Sequence, residues 1–329
     1  MNDDERSGGY AVSDPLALLL RGGLVESVHR GSLVVADQDG QVIAALGDVS
    51  RRIYPRSALK PFQALASLSL LESGGVTLSR ANTAIACASH QGDLAQQLQV
   101  QELLSTAGFD STHLGCPDAL PEDSAALVSQ NGLPSKLAHN CSGKHAAFVL
   151  AQHAVGQDTN AYLDAGSVIQ TEVREQLRRA ARENPEGPAV DGCGAPAWRL
   201  SLRALAVAFA RLSTGEEASA LVRDSMVAHP ALVGGARGVD SRLMAGDPRV
   251  VAKRGAEAVF AAGFISARGP VGIAVKVDDG GDRAAGPVVA ELLTQMGAQV
   301  SERFLTPNTL ASDRGFPEFR IADAVRTLI

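Results

Sequence analysis

Ser57 and Lys60 stand three residues apart in the stretch Tyr54-Pro55-Arg56-Ser57-Ala58-Leu59-Lys60-Pro61-Phe62-Gln63. On a helix, positions i and i+3 share a face, so this hydroxyl and this amine can meet. A serine hydroxyl is a weak nucleophile until a base takes its proton, and a neutral lysine amine is such a base once its pKa has fallen. Proline is tolerated in the first turn of a helix, so Pro61 predicts a helix that begins near Ser57. Lys60 then lies at the positive end of the helix dipole, which disfavours its charged form, and burial acts in the same direction. Alone, a Ser-x-x-Lys pair is a weak motif that a surface helix start also produces.

Composition strengthens it. The chain carries 30 basic residues, of which only Lys60, Lys136, Lys144, Lys253 and Lys276 are lysine. Arginine stays protonated in proteins, whereas lysine shifts its pKa readily on burial. Each lysine in so arginine-rich a chain is therefore a candidate for amine chemistry, against the bland alternative of survival by drift.

Three further groups could do chemistry. Ser89 and His90 follow a small apolar run, Thr83–Ala88, where it meets the Gln91-Gly92-Asp93 turn. A Ser-His-Asp triad there is disfavoured, because no Gly-x-Ser-x-Gly elbow is present and adjacent strand residues face apart. Cys141 and Lys144 lie at a helix start, and Cys193 lies in the distant glycine turn Asp191–Pro196. Two thiolates and one nitrogen suit Zn²⁺, with His139 and His145 as alternative nitrogens; two buried apolar cysteines would look the same. Lys276, within Val275-Lys276-Val277, points to the face opposite its valines and reads as a second base, a clamp or a shield for a sheet edge. Lys253 competes with it, although Arg254 alongside suggests a solvated loop.

The elements that must position these groups follow from pattern. Apolar, β-branched segments at about 24–46 and 259–277 predict antiparallel strands, separated by a helical region from about 57 to 230. Within it, long helices are expected over about 161–184 and 197–213, and residues 1–15 look frayed. The sheet closes only if the two ends of the chain meet, with the helical middle packed on it and the site at the junction.

At 329 residues, with 45% hydrophobic and 20% charged residues, the chain is an ordinary globular one, here taken as a single catalytic domain over 1–329. A net charge of −6 argues against nucleic acid as the main partner. No long apolar run suggests a membrane span, and the acidic start Met1–Arg6 is unlike a secretory signal, so a cytoplasmic location is expected. Four cysteines are too few for a disulfide scaffold of this size.

Five segments taken together resemble the Rhizobium-type (type III, thermolabile) L-asparaginases: Arg56–Gln63, Ala88–Gly92, His139–His145, Asp191–Pro196 and Val275–Gly280. They span nearly the whole chain in consistent order. The resemblance implies an α/β (α+β) fold like that of serine β-lactamases and penicillin-binding proteins, an antiparallel sheet flanked by helices. It implies hydrolysis of L-asparagine to L-aspartate and ammonia, and a homodimer. It implies two Ser–Lys pairs, Ser57 with Lys60 and Ser89 with Lys276, and zinc held by Cys141, Lys144 and Cys193. Arg56, His90 and Asp191 fall where the family binds substrate or orients the site. The residues by themselves fit a serine acyl-enzyme acting on many amides or esters, so a glutaminase, β-lactamase or peptidase is the rival enzyme. A non-catalytic zinc- or ligand-binding module is the rival of another class, which ammonia release above a Ser57→Ala control excludes.

Overall fold

The computed structural model describes residues 13–215, 218–301 and 317–329. The chain begins there with β1 (Asp14–Arg21) and β2 (Leu24–Asp37), turns at Asp37–Gly40 and returns as β3 (Val42–Leu46). Short strands β4 (Arg52–Ile53), β5 (Glu186–Val190) and β6 (Pro196–Ser201) form a small antiparallel sheet in the order β4-β6-β5. Strands β7 (Val250–Gly255), β8 (Val259–Ser266), β9 (Gly269–Val277) and β10 (Glu318–Ile321) complete the main sheet. Its order is β10-β1-β2-β9-β8-β7, with β3 also paired to β2, and every pairing is antiparallel. The ends of the chain do meet: β2 and β9 are hydrogen-bonded neighbours, with Ser32 opposite Lys276. An antiparallel sheet flanked by helices is the fold class expected.

Register decides what faces the site. Val251, Gly263 and Gly272 form one row across β7, β8 and β9; Lys253, Ala261 and Ala274 form the next; Gly255, Val259 and Lys276 form a third. Alternate residues of a strand share a face, so all three rows look the same way. The helix Leu202–Thr214 covers the first row, and it comes so close that a Cβ on Gly272 or Gly263 would collide with the carbonyl of Ala206 or Phe209. The third row lies under the turn Arg56–Leu59, where a Cβ on Gly255 would strike Pro55 O. Lys253 is sealed between these two covers. On the opposite face the apolar helix Ala285–Gln295 packs against β8 and β9.

The helical middle departs from the expected boundaries where serine caps intervene. Ser167 and Ser201 accept from the backbone N–H groups of Gln170 and Ala204, so helices start at Val168 and Leu202. The segments before them form a 3₁₀ turn, Thr159–Leu163, and strand β6. The run Thr83–Ala88, read as buried, lies mostly in the helix Arg80–Ala86 capped by Ser79. Most of the stretch 1–15 lies outside the described residues; β1 begins at Asp14. No described helix is long and apolar enough to cross a membrane.

Candidate active site

The chain enters the site through a 3₁₀ turn, Arg56–Leu59, that continues as the helix Lys60–Ser73 with Pro61 in its first turn. Arg56 holds a left-handed backbone, φ 53°, which is rare for a non-glycine residue. Lys60 is buried, and its Nζ lies 3.0 Å from Ser89 Oγ, 2.6 Å from Ala88 O and 3.1 Å from Asn140 O. The direct Ser57–Lys60 hydrogen bond suggested by the i, i+3 spacing does not form. The lysine side chain reaches past its own turn to the backbone beyond the Arg80–Ala86 helix, while Ser57 stays half-buried and its hydroxyl has no hydrogen bond among the described residues.

The second amine at Ser89 is Lys253 and not Lys276. Lys253 Nζ lies 2.9 Å from Ser89 Oγ, 3.3 Å from Asp240 Oδ2 and 3.2 Å from Arg254 O, and both Lys253 and Asp240 are fully buried. Arg254 does not mark a solvated loop: it is itself half-buried, and its guanidinium Nη2 donates to Ser89 O at 3.4 Å, so both basic neighbours serve the serine. Lys276, on the third row, instead donates to the carbonyls of Glu257 and Val277 and remains partly exposed. Asp240 was noted in the sequence only as part of a glycine-rich segment. Its detectable signal was an acid placed upstream of one of five lysines.

Burial, above all, lowers the pKa of both site lysines: Lys60 shifts below its ordinary value, and Lys253 falls to about 8 although Asp240 holds it up. Burial alone would raise Asp240, but the Lys253 and Arg254 charges, with backbone N–H donors of Arg254 and Ser241, outweigh it and hold the carboxyl below its ordinary value. Proton counting then separates the amines. Ser89 has one hydroxyl proton, so it can donate to only one of them and must accept from the other. Lys253 faces a carboxylate, a carbonyl and the serine, three acceptors suited to an ammonium. Lys60 faces two carbonyls and no carboxylate, although the Cys141 and Cys193 sulfurs nearby favour its charge; once neutral, it donates to both carbonyls and turns its lone pair to the Ser89 proton. The arrangement makes Lys60 a base in contact with a serine.

Arg56 Nε and Nη2 donate to Asp191 Oδ1 at 3.0 and 2.6 Å, and the same oxygen accepts from Gly192 N at 2.7 Å. The hydrogen bond to Asp191 is the main reason the guanidinium pKa rises further. This pair fastens the glycine turn that carries Cys193 to the turn that carries Ser57. His90 is fully buried and both ring nitrogens are engaged, Nδ1 with Gly92 N at 3.1 Å and Nε2 with Ser142 Oγ at 2.8 Å. Burial drives its pKa to about 3. A neutral ring with both nitrogens occupied braces the site, which differs from the substrate contact expected of it.

Cys141, Lys144 and Cys193 do come together. Lys144 Nζ lies 3.0 Å from Cys193 Sγ, all three are buried, and the two thiols share a hydrogen bond. That hydrogen bond, with Lys60 and Lys144 nearby, draws the Cys141 thiol well below its usual range, while the same contact and burial push Cys193 up. Two thiols and an amine in mutual contact are a donor set that fits Zn²⁺. Among the described residues no cluster of three or more His, Cys, Asp or Glu side chains is arranged to hold a metal, so the set depends on Lys144 as its third donor. Burial lowers the Lys144 pKa, but the neighbouring Cys141 and Cys193 sulfurs and Asp191 outweigh it and hold it above its ordinary value, so an ion there must displace a proton from the amine.

Residues 17–314 match the family described as L-asparaginase II. The chain belongs to that family. Membership supports amidohydrolase chemistry. No curated protein matches the chain. Among solved structures, Mglu is similar with 15% identity and a TM-score of 0.47, covering 83% of this chain and 68% of that one. Its glutamate form gives 16% identity and a TM-score of 0.46 over 86% of this chain and 63% of that one, so the chain spans about two thirds of Mglu. A Bacillus glutaminase is similar at 11% identity and a TM-score of 0.43, over 82% and 92% of the two chains. A Mycobacterium bovis β-lactamase, Mb2281c, is similar at 15% identity and a TM-score of 0.38, over 80% and 94%.

Proposed function

We propose that the protein is an L-asparagine amidohydrolase that works through a serine acyl-enzyme. The observation that carries this is Ser89 Oγ held between two buried amines, Lys60 at 3.0 Å and Lys253 at 2.9 Å, inside an L-asparaginase family chain. Ser57 is the more exposed serine and attacks the side-chain amide carbon. With substrate bound, the Ser57 hydroxyl must close on Ser89, which takes its proton as the Ser89 proton passes to neutral Lys60. The carbon–nitrogen bond then breaks, the proton returns through Ser89 to the leaving nitrogen, and ammonia departs. Water repeats the sequence on the ester, releasing aspartate and restoring Ser57. Lys253 stays charged throughout, balanced by Asp240, and steadies the Ser89 oxygen.

Zn²⁺ bound by Cys141, Lys144 and Cys193 would supply a positive centre beside the Arg56–Asp191 pair, aiding substrate affinity. The resemblance also implies a homodimer, which sedimentation at several concentrations would check. Four free cysteines fit a reducing, cytoplasmic setting.

The test is ammonia release from asparagine and from glutamine, with a chromogenic β-lactam alongside, for the wild type, Ser57→Ala and Ser89→Ala. Asparagine is expected to be the preferred amide, and both alanine variants to lose at least about a thousandfold. Intact-mass and peptide analysis after an asparagine-like electrophile should find the adduct on Ser57. An adduct on Ser89 would transfer the attack to that serine, and a β-lactam preference would overturn the asparaginase reading.

A further inference from the structure

Against Arg56, the residue before Ser57, the structure holds a cavity of about 380 Å³, lined also by Arg51, Arg52, Tyr54, Glu257 and Lys276 among others. Its three arginines are already matched to acids: Arg51 with Asp278, Arg52 with Glu183 and Glu186, and Arg56 with Asp191. The two remaining charges are not matched. Lys276 Nζ is steadied by the backbone carbonyls of Glu257 and Val277, and among the described residues it pairs with no carboxylate. The Glu257 carboxylate likewise forms no hydrogen bond or ion pair among the described residues, although it lies close enough to influence both Arg56 and Lys276. An amine and a carboxylate thus share one cavity without meeting.

The backbone shows that this separation is built. Glu257 and Ala258, in the turn between β7 and β8, both hold left-handed conformations, φ 60° and 53°. Two successive non-glycine residues in that region are strained. Lys276 grips the turn by the Glu257 carbonyl and not by its carboxylate, which fixes the backbone and leaves the acid free. A free amino acid carries one anion and one cation on the same carbon, the charges opposite to those on offer here.

We infer that this cavity is the subsite for the α-carbon of the substrate, with Lys276 binding the α-carboxylate and Glu257 the α-ammonium. The inference rests on the amidohydrolase reading and adds to it the requirement for a free α-amino acid. It also gives Lys276 a task suited to its position, since it is a charge at the mouth and does not reach Ser89.

Three amides separate the two contacts: asparagine, succinamate, which lacks the ammonium, and β-alaninamide, which lacks the carboxylate. Glu257→Gln is expected to raise KM for asparagine at least about tenfold and to leave succinamate unaffected. Lys276→Met should do the same for asparagine and leave β-alaninamide unaffected. Calorimetric titration with aspartate, succinate and β-alanine repeats the comparison without turnover. An equal loss on all three ligands would mean that the side chains only support the turn, and no selective loss at all would place the α-carbon elsewhere; either result overturns the inference. A wild type that binds aspartate by this pattern yet releases no ammonia would sink the amidohydrolase reading alone.

Discussion

Lys253 and Lys276 stand on the same face of the same sheet, one row apart, and their surroundings could hardly differ more. Lys253 is sealed under two covers, beside a buried acid and in contact with a serine. Lys276 opens onto a cavity shared with three arginines and touches only backbone. The comparison teaches that position along a strand selects between proton chemistry and plain charge. Depth makes an amine's proton negotiable, because the ammonium loses water it cannot replace; at the mouth partial burial still lowers the Lys276 pKa, but the Glu257, Asp278 and Asp279 charges oppose it and no serine is there to take up the proton.

Arginine replacement is the strongest way to break this comparison. Arginine keeps the charge and cannot serve as a base. Lys60→Arg should lose at least about a thousandfold in kcat/KM, about 4 kcal/mol of transition-state stabilisation. Lys276→Arg, which keeps its charge, should lose less than about tenfold. If the two variants suffer alike in ammonia release, the distinction between buried base and exposed charge collapses.

The pH profile sharpens the comparison next. Lys60 must be neutral and Lys253 charged, so activity should climb as Lys60 loses its proton and decline as Lys253 loses its own near pH 8. The Asp240 charge holds the Lys253 pKa up, so Asp240→Asn should move the declining limb to lower pH. A declining limb that stays in place in that variant would remove Lys253 from the titration. An alkaline optimum with no decline would mean that Lys253, too, works as the free amine.

Chelation should have a smaller effect. Metal analysis is expected to find about one zinc per chain, lost in Cys141→Ala or Cys193→Ala. Because the ion must displace protons, zinc affinity should fall as pH falls. Its removal should raise KM more than it lowers kcat, since no proton step passes through it. A wild type that takes up no zinc when supplied with it ends that proposal. The smallest expected effect is on stability. Gly255→Ala forces a Cβ against the Pro55 carbonyl and should cost about 1–3 kcal/mol by denaturant titration, most of it from separating the serine turn from β7. An unchanged midpoint would show that the turn has room to yield.

Much of the site could be read from residue types alone. The scarcity of lysine marked Lys60, Lys144, Lys253 and Lys276, and all four carry a contact that a surface lysine would not. The Cys141, Lys144 and Cys193 set was visible because a helix start and a glycine turn are both strong local signals. Partners were not visible. Which lysine reaches Ser89 depends on the register of β7 against β8, fixed by packing around a strand 164 residues further along the chain. The basic neighbour Arg254 suggested exposure, when in fact Lys253 is sealed and Arg254, half-buried, reaches the Ser89 carbonyl. The outlines of the sheet were legible at 24–46 and 259–277, where β-branched residues concentrate. Strand β6 was not, because its Pro-Ala-Trp-Arg-Leu-Ser sequence runs straight into an alanine-rich helix and only the Ser201 cap divides them.

The pairing of β2 with β9 also orders events in time. During synthesis, Ser57, Lys60 and Ser89 emerge from the ribosome long before Lys253 and its acid. Until β7 to β9 are made, β2 has an unfilled edge and Ser89 lacks its second amine. Contacts so distant in sequence close slowly, which points to folding on the timescale of milliseconds or longer. The nascent chain therefore carries its serines without an active centre, and amide hydrolysis begins only when the last strands dock.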